Sequence, residues 1–220
     1  MGQRQIDMRA EQELAKFLDA HLYGELLKEG GFSSFQRISD AEVQKQGIDV
    51  IGTAPRASAN IDEKAQLHYL NCNRPTFAFE LEFLNKGQPI GGWFLNDSLL
   101  TTHYLLLWPN AAVTDLTQLT SGDFTQVEGM VIAKGRLKRA LDGLGLHRDY
   151  LARMAAQLRA SGVVGPLDTE HKGIRFYVSD PKVYPEHPVN LVISKQRLSA
   201  LAQAHYLVTP EGFVRIGPDG

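Results

Sequence analysis

The stretch Gly47–Tyr69, GIDVIGTAPRASANIDEKAQLHY, decides the fold that we expect for this chain. A run of β-branched residues around Asp49 predicts a short strand that ends at Gly52. Pro55–Asn60 contains the small and turn-forming residues that are typical of a hairpin connection. The residues after this turn alternate between polar and apolar, which predicts a second strand paired with the first.

The polar face of the second strand carries residues suited to metal and phosphate chemistry. Its members are Asp62, Lys64, Gln66 and His68, whereas Ile61, Ala65, Leu67 and Tyr69 form the apolar face. Antiparallel strands lie about 5 Å apart, so Asp49 and Asp62 can reach one divalent cation if the register brings them level. Carboxylate oxygens suit Mg²⁺ or Mn²⁺. Lys64 could orient or deprotonate an attacking water, or neutralise charge on a phosphate.

The same residues resemble a known motif. Asp49, then twelve residues, then Asp62-Glu63-Lys64 resembles the PD-(D/E)XK motif of the restriction-endonuclease-like nuclease superfamily. In this resemblance Asp49 is the first acid, Asp62 is the D/E and Lys64 is the lysine. The resemblance covers residues 7–110 and implies a mixed central sheet with flanking helices. It also implies an enzyme, a Mg²⁺-dependent hydrolase that cleaves phosphodiester bonds in nucleic acid.

The resemblance assigns roles to these residues. Asp49 and Asp62 would hold Mg²⁺ or Mn²⁺, and the backbone carbonyl of Glu63 would help to complete the metal shell. Lys64 would position the hydrolytic water. Gln66 resembles the glutamine that many members carry further along the same strand, and it would support the lysine.

Members of the superfamily often place one more acid on a helix before the strands. Here the N-terminal helix offers Glu11 and Glu13, which lie at opposite edges of its apolar stripe. We favour Glu13 as the additional metal ligand. Ile48 stands where the motif has its proline, a residue that the superfamily does not require.

The composition is that of an ordinary globular domain. Of the 220 residues, 43% are hydrophobic and 22% are charged. Apolar runs stay well short of the roughly 20 residues that span a bilayer, and the polar N-terminus does not resemble a signal peptide, so we expect a cytoplasmic protein without membrane contact. Cys72 is the one cysteine, which excludes intramolecular disulfides and cysteine-rich zinc sites.

The charge distribution bears on the partner. The net charge is −2 and the pI is near 6.4, whereas proteins that bind nucleic acid by bulk electrostatics are usually basic. Residues 1–110 carry 10 Lys and Arg against 14 Asp and Glu, and residues 111–220 carry 13 against 11. The second half therefore offers the better surface for nucleic acid, which we expect to be DNA; a homodimer is left open. Its basic cluster comprises Lys134, Arg136, Lys138, Arg139, Arg148, Arg153 and Arg159.

Periodicity predicts the other elements. Ile6–Lys28 has the apolar spacing of an amphipathic helix, and Thr76–Leu84 alternates as a strand. Thr101–Trp108 predicts a buried strand that is closed by Pro109. Lys134–Ser161 is helical in composition with a break at its glycines. Further strands are predicted at Gln126–Ala133, Ile174–Val178, Val189–Ile193 and Tyr206–Val208, and a short helix at Lys195–Ala204.

These elements predict an α+β (α/β) protein. We expect a restriction-endonuclease-like core over residues 1–112 and an α/β C-terminal extension over residues 113–220. Because no linker rich in Gly, Ser or Pro divides them, we expect the extension to pack on the core as one compact unit.

Two alternatives to a nuclease remain. The first is a catalytically inactive binding or assembly module of the same fold, which the acidic pI would suit. The second is a structural protein, associated with a phage or a mobile element, that uses the β-hairpin for subunit contact.

Overall fold

The computed structural model describes residues 2–217 as two compact units built from interleaved segments of the chain. The first unit comprises Met1–Arg74, Leu100–Lys134 and Ala202–Gly220, as far as these segments are described, and the second comprises Pro75–Leu99 and Gly135–Leu201. Residue 112, the boundary suggested by the sequence, lies within the middle segment of the first unit.

The elements of the described residues follow a mixed order of helices and strands. The strands are β1 (Ser34–Arg37), β2 (Val50–Ala54), β3 (Ala57–Ala65), β4 (Thr76–Asn85), β5 (Gln88–Gly91), β6 (His103–Ala111), β7 (Phe124–Ala133), β8 (Gly165–Asp168), β9 (Ile174–Val178), β10 (Val189–Ser194), β11 (Ala204–Thr209) and β12 (Gly212–Arg215). The helices are α1 (Gln3–Leu18), α2 (Gly24–Lys28), α3 (Ala41–Gln44), α4 (Lys134–Asp142), α5 (Arg148–Ser161) and α6 (Lys195–Leu201), with a π-helical turn at Asp19–Tyr23 between α1 and α2.

Each unit contains one sheet. The sheet of the first unit has seven strands in the order β1-β2-β3-β6-β7-β11-β12, in which β3 and β6 are parallel and the other neighbours are antiparallel. The sheet of the second unit has five antiparallel strands in the order β5-β4-β10-β9-β8. A mixed sheet, a separate antiparallel sheet and surrounding helices confirm the predicted α+β class.

The predicted hairpin is present as β2 and β3. Two turn residues, Pro55 and Arg56, join the strands. The register pairs Val50 with Ile61, and both side chains are buried in the core of the first unit. Because side chains alternate along a strand, this pairing turns the residue after Ile61 toward the opposite face of β3.

The second strand of the hairpin ends earlier than its polar and apolar alternation predicts. It ends at Ala65, and Leu67–Tyr69 forms a 3₁₀ turn instead of continuing the strand. At this point the Gln66 N–H donates to the Leu107 carbonyl at 3.0 Å. The turn also buries the Leu67 side chain in the core, so packing overrides the alternation.

The predicted N-terminal helix is present as α1, the π-helical turn and α2. Its buried residues are Ala10, Leu14, Phe17, Leu18, Leu22, Tyr23 and Leu26. This stripe packs on one face of the seven-stranded sheet, where the Phe17 ring lies 5.4 Å from the Phe124 ring. In the π-helical turn, the Gly24 N–H donates to the Asp19 carbonyl five residues earlier.

The buried strand predicted at Thr101–Trp108 is the central strand β6. Its residues from Tyr104 to Pro109 are all buried, as expected for a strand covered on both faces. The sequence predicted that Pro109 closes this strand, but β6 continues to Ala111. Asn71 supports the positions on either side of Pro109. The Asn71 N–H donates to the Pro109 carbonyl at 3.2 Å. The Asn71 side-chain oxygen accepts from the Ala111 N–H at 2.8 Å, so pairing continues to Ala111.

The second unit contains the strand predicted at Thr76–Leu84, which is β4. Phe77, Phe79 and Leu81 on one face of β4 are buried, as its alternation predicts. The predicted helical segment is divided into α4 and α5, with the break at the glycines between them. Across the described part of the chain, the structure has no helix of the length and apolar character required to span a bilayer.

Phe17 provides a test of how α1 packs on the sheet. Because Phe17 is 2% exposed, Phe17→Ala leaves a cavity, and we expect a loss of about 3–5 kcal/mol in the free energy of unfolding. Urea denaturation measures this. Leu27→Ala is the control on the same helical segment, since Leu27 is 39% exposed and should cost less than about 1 kcal/mol. Equal losses in the two variants would contradict this packing.

Candidate active site

The register of β2 and β3 brings Asp49 and Asp62 together. Asp49 directly precedes β2, and its N–H donates to the Ile61 carbonyl at 2.9 Å. Asp62 follows Ile61 on β3, and its carboxylate lies close enough to Asp49 for its charge to raise the pKa of Asp49. The Glu63 N–H donates to Asp49 Oδ2 at 2.8 Å and fixes the orientation of that carboxylate. The structure therefore brings the two predicted acids together.

Asp62 is a buried carboxylate whose two oxygens differ in their hydrogen-bond partners. The residue is 2% exposed. Asp62 Oδ1 lies 2.6 Å from Lys64 Nζ, which forms an ion pair with it. Asp62 Oδ2 is also buried, and it has no hydrogen-bond partner among the described residues. An unsatisfied buried carboxylate oxygen is costly, so this atom indicates a position where a proton or a cation would be stabilised.

Asp49 has an altered acidity. Burial and, after it, the negative charge of Asp62 raise the pKa of Asp49 from its ordinary value to about 6. Lys64 and the hydrogen bond from the Glu63 N–H act in the opposite direction. The two carboxylates therefore repel each other in a poorly solvated place, which is the condition under which a positive ion is attracted most strongly.

Lys64 remains a cation at neutral pH. Burial alone would lower the pKa of Lys64, but the charge and hydrogen bond of Asp62 and the charge of Asp49 outweigh it and raise that pKa above its ordinary value. An ammonium group can donate hydrogen bonds and offset negative charge, but it cannot accept a proton. Of the roles considered for Lys64, the structure favours orientation and charge neutralisation over deprotonation of water.

A cleft of about 430 Å³ opens beside this group within the first unit. Its polar lining comprises Glu11, Gln12, Arg37, Ser39, Gln44, Asp49, Glu63 and Lys64. Asp62 is buried and is not among the residues that line the cleft. A second cavity of this unit, of about 360 Å³, has neither a carboxylate nor an amine among its lining residues, so the candidate chemistry belongs to the first cleft.

The helix acid at the cleft is Glu11, whereas Glu13 was favoured from the sequence. Glu13 accepts hydrogen bonds from Lys16 Nζ at 2.6 Å and from the Ser121 N–H at 2.9 Å, which hold it away from the cleft. Loss of solvent around the carboxylate raises the pKa of Glu11, and the positive charge of Lys64 partly offsets this increase. The two acids lie on different sides of α1, and only the structure shows which side faces the strands.

The remaining predicted residue, Gln66, lies just beyond the end of β3. It is absent from the residues that line the cleft. Its backbone is fixed by the Leu107 carbonyl. Gln66 therefore lies two residues from Lys64 in sequence but no longer on the same strand.

Tyr23, Arg37 and the role of the Glu63 side chain were missed from the sequence, which gave a role only to the Glu63 backbone carbonyl. Glu63 accepts hydrogen bonds from the Tyr23 hydroxyl at 2.7 Å and from Arg37 Nη1 at 2.9 Å. Arg37 and Tyr23 had no role in the motif. A signal was present, because Glu63 shares the apolar face of β3 with Ile61 and Ala65. A charge at such a position requires a buried partner.

The donor set fits a divalent cation held by two carboxylates. Among the described residues no group of three or more His, Cys, Asp or Glu side chains could hold a metal ion. A cation at this place would have the carboxylates of Asp49 and Asp62 as its protein ligands. Mg²⁺ suits such a set, because it binds through one or two carboxylates and keeps several waters. The unsatisfied Asp62 Oδ2 is the atom that such an ion would satisfy.

The raised pKa of Asp49 predicts a dependence of stability on pH. The folded protein holds this proton up to a pH of about 6, whereas an unfolded Asp releases it near pH 3.9. Stability is therefore lost as pH rises between these values. We expect Asp49→Asn, in metal-free buffer, to be about 2 kcal/mol more stable than the parent at pH 8 and nearly equal to it at pH 4. Urea denaturation at both pH values measures this, and a less stable variant at pH 8 would contradict it.

Comparisons with protein-family models, with curated proteins and with solved structures found no match to this chain. The case for a function therefore depends on the geometry of the cleft and on the motif that its residues form.

Proposed function

We propose that this protein is a divalent-metal-dependent nuclease of the PD-(D/E)XK, restriction-endonuclease-like class. The observation that supports this most is the buried, unsatisfied Asp62 Oδ2 beside Asp49, a carboxylate whose pKa is raised by burial and by Asp62. A pair of acids in this state attracts a cation. Lys64, in contact with Asp62, completes the set of residues that the motif requires.

The proposed ion is Mg²⁺ or Mn²⁺, held by Asp49 and Asp62. When bound, it would lower the pKa of a coordinated water and offset charge on the phosphate in the transition state. The protein's own contribution is orientation. The Glu63 N–H fixes Asp49, and the Lys64 ammonium group fixes Asp62.

The Lys64 ammonium group has a second role in this proposal. It lines the cleft and stays protonated, so it can donate a hydrogen bond to the attacking water or to a phosphate oxygen. Glu11 lines the same cleft, and burial raises its pKa, which makes this carboxylate a better acceptor for a proton from water than an ordinary glutamate. Gln66 is the proposed support for the lysine.

The proposed substrate is nucleic acid, with DNA as the first expectation. The first unit has 11 Lys and Arg against 16 Asp and Glu in its sequence, so a phosphate that approaches its cleft needs a cation. The second unit has 12 against 9 and is the better candidate for contacts with the phosphate backbone.

A binding or assembly module without catalysis is the second candidate. Two observations favour it, namely the ion pair in which Lys64 already occupies Asp62 Oδ1 and the absence of a three-ligand metal group among the described residues. If that ion pair is purely structural, divalent cations will not bind here. Metal binding therefore separates the two candidates.

The melting temperature tests the metal site. A ligand that binds only the native state stabilises it by about 2.7 kcal/mol at a hundred times its dissociation constant. We therefore expect Mn²⁺ to raise the melting temperature of the parent and to have no such effect on Asp62→Asn. Glu42→Gln is the control, because Glu42 forms an exposed pair with Lys45. If Mn²⁺ leaves the parent unchanged, or shifts Asp62→Asn equally, the metal site is refuted.

Cleavage of nucleic acid tests the catalytic role of Lys64. Lys64→Ala removes the cation that faces the phosphate, and we expect cleavage of plasmid and single-stranded DNA with Mn²⁺ to fall by about a hundredfold or more. The Mn²⁺-dependent rise in melting temperature should persist in this variant. Lys45→Ala is the control, since Lys45 is exposed. Unchanged cleavage in Lys64→Ala, or a parent that cleaves neither DNA nor RNA, would refute the proposed function.

A further inference from the structure

A clamp of three residues holds β3 at the position between the two motif residues Asp62 and Lys64. The clamp consists of Tyr23, Arg37 and Glu63. Glu63 Oε1 accepts from the Tyr23 hydroxyl at 2.7 Å and from Arg37 Nη2 at 3.1 Å, and Glu63 Oε2 accepts from Arg37 Nη1 at 2.9 Å. Both oxygens of the carboxylate are therefore satisfied, and the guanidinium group binds it in a two-point geometry.

The far side of Arg37 is also fixed. Arg37 Nε lies 2.8 Å from Asp19 Oδ2, and Arg37 Nη2 lies 2.8 Å from Asp19 Oδ1. The guanidinium group thus lies between two carboxylates, one on the helical segment and one on β3. Its carbon lies 5.9 Å from the centre of the Tyr23 ring. Each nitrogen of the Arg37 guanidinium group donates to a carboxylate of the protein, so this residue connects the helical segment to β3.

The π-helical turn brings two members of this arrangement into place. Asp19 and Tyr23 are its first and last residues. A Cβ at Gly24 would lie 3.1 Å from the Asp19 carbonyl oxygen, so the glycine relieves crowding where the extra residue widens the helix. Such turns interrupt α-helices frequently at functional sites. Here the turn places a carboxylate and a phenol on either side of Arg37.

The clamp is an unusual choice for a buried position. Burial raises the pKa of Glu63, whereas Arg37 and Tyr23 lower it and keep the carboxylate stabilised. An apolar side chain at this position would pack beside Ile61 and Ala65, and such replacements are often neutral or stabilising. A buried ion pair instead fixes the orientation of the side chain, because its hydrogen bonds are directional.

The backbone of Glu63 links the clamp to the Asp49 carboxylate in the cleft. While its side chain is held by Arg37 and Tyr23, its N–H donates to Asp49 Oδ2 at 2.8 Å. Rotation of β3 about its axis would move both groups together. The orientation of the Asp49 carboxylate therefore depends on contacts made on the opposite face of the strand.

We propose that Arg37, Glu63 and Tyr23 are positioning residues that set the Asp49 carboxylate through the Glu63 N–H. The catalytic consequence rests on the proposed nuclease function, whereas the structural link between clamp and carboxylate does not. A misplacement of about 1 Å at a reacting group can cost roughly a hundredfold in rate. The clamp would therefore act on turnover through the orientation of the Asp49 carboxylate.

Hydrogen exchange of the backbone amide at position 63 tests the link directly. We expect Glu63→Gln to speed exchange of this amide by about tenfold, the factor that corresponds to loss of one hydrogen bond to a charged acceptor. Amides of β6 should keep their exchange rates, which shows that the change is local. Glu29→Gln is the matched control, because Glu29 pairs with Arg215 at 2.6 Å on the surface of the same unit.

Turnover provides the second measurement. We expect Glu63→Gln and Arg37→Lys to lower kcat by at least about tenfold and to change KM much less, since the clamp acts through the Asp49 carboxylate. Lysine keeps the charge of Arg37 but not its two-point geometry, so Arg37→Lys should fail to restore activity. If Glu63→Gln does not fold, Tyr23→Phe removes one hydrogen bond and is measured in the same way.

The outcomes separate this inference from the proposed function. Unchanged amide exchange in the clamp variants overturns the link, whatever the enzyme does. Faster exchange with parental kcat overturns the positioning role. Faster exchange in a parent background that shows no cleavage supports the link and refutes the nuclease.

Discussion

The pairing of Val50 with Ile61 is the constraint on which the candidate site depends. Because side chains alternate along a strand, this pairing buries Val50 and Ile61 on one face and turns Asp62 toward the other, and the bond from the Asp49 N–H to the Ile61 carbonyl holds Asp49 beside it. A shift of one residue would exchange the faces, so the hydrophobic core and the carboxylate pair require the same register. Burial of apolar side chains thus provides the free energy that holds the two acids close together. This free energy offsets the repulsion between their carboxylates.

Much of this site could be predicted from the sequence because its main elements are local. A β-branched run, a proline turn and an alternating segment specify the hairpin, and the hairpin brings Asp49 and Asp62 together. The helix acid was assigned differently, since the orientation of α1 depends on packing against strands that are distant in sequence. The strand end at Ala65 was also not predictable, because it depends on the carbonyl of Leu107. Arg37 and Tyr23 join the site through contacts that span 26 and 40 residues.

In the fold, too, local features were predictable from the sequence and long-range contacts were not. Individual elements were predictable, including the α4 and α5 helices with their break and the strands β4, β7, β9 and β10. Their assignment to two sheets was not, because the chain leaves the first unit after Arg74 and returns to it at Leu100 and again at Ala202. Periodicity reports which face of a strand is buried, but it carries no information about the sheet to which the strand belongs.

The central claim is that Asp49 and Asp62 form one site for a divalent cation. The most direct measurement is a crystal of the protein soaked in Mn²⁺, with the anomalous signal of the metal recorded. The account predicts a single strong peak about 2.1 Å from a carboxylate oxygen of each residue, with Lys64 moved aside or retained next to it. Crystals that diffract well and show no peak within reach of either carboxylate, or that show the two side chains on different faces of the sheet, would contradict it.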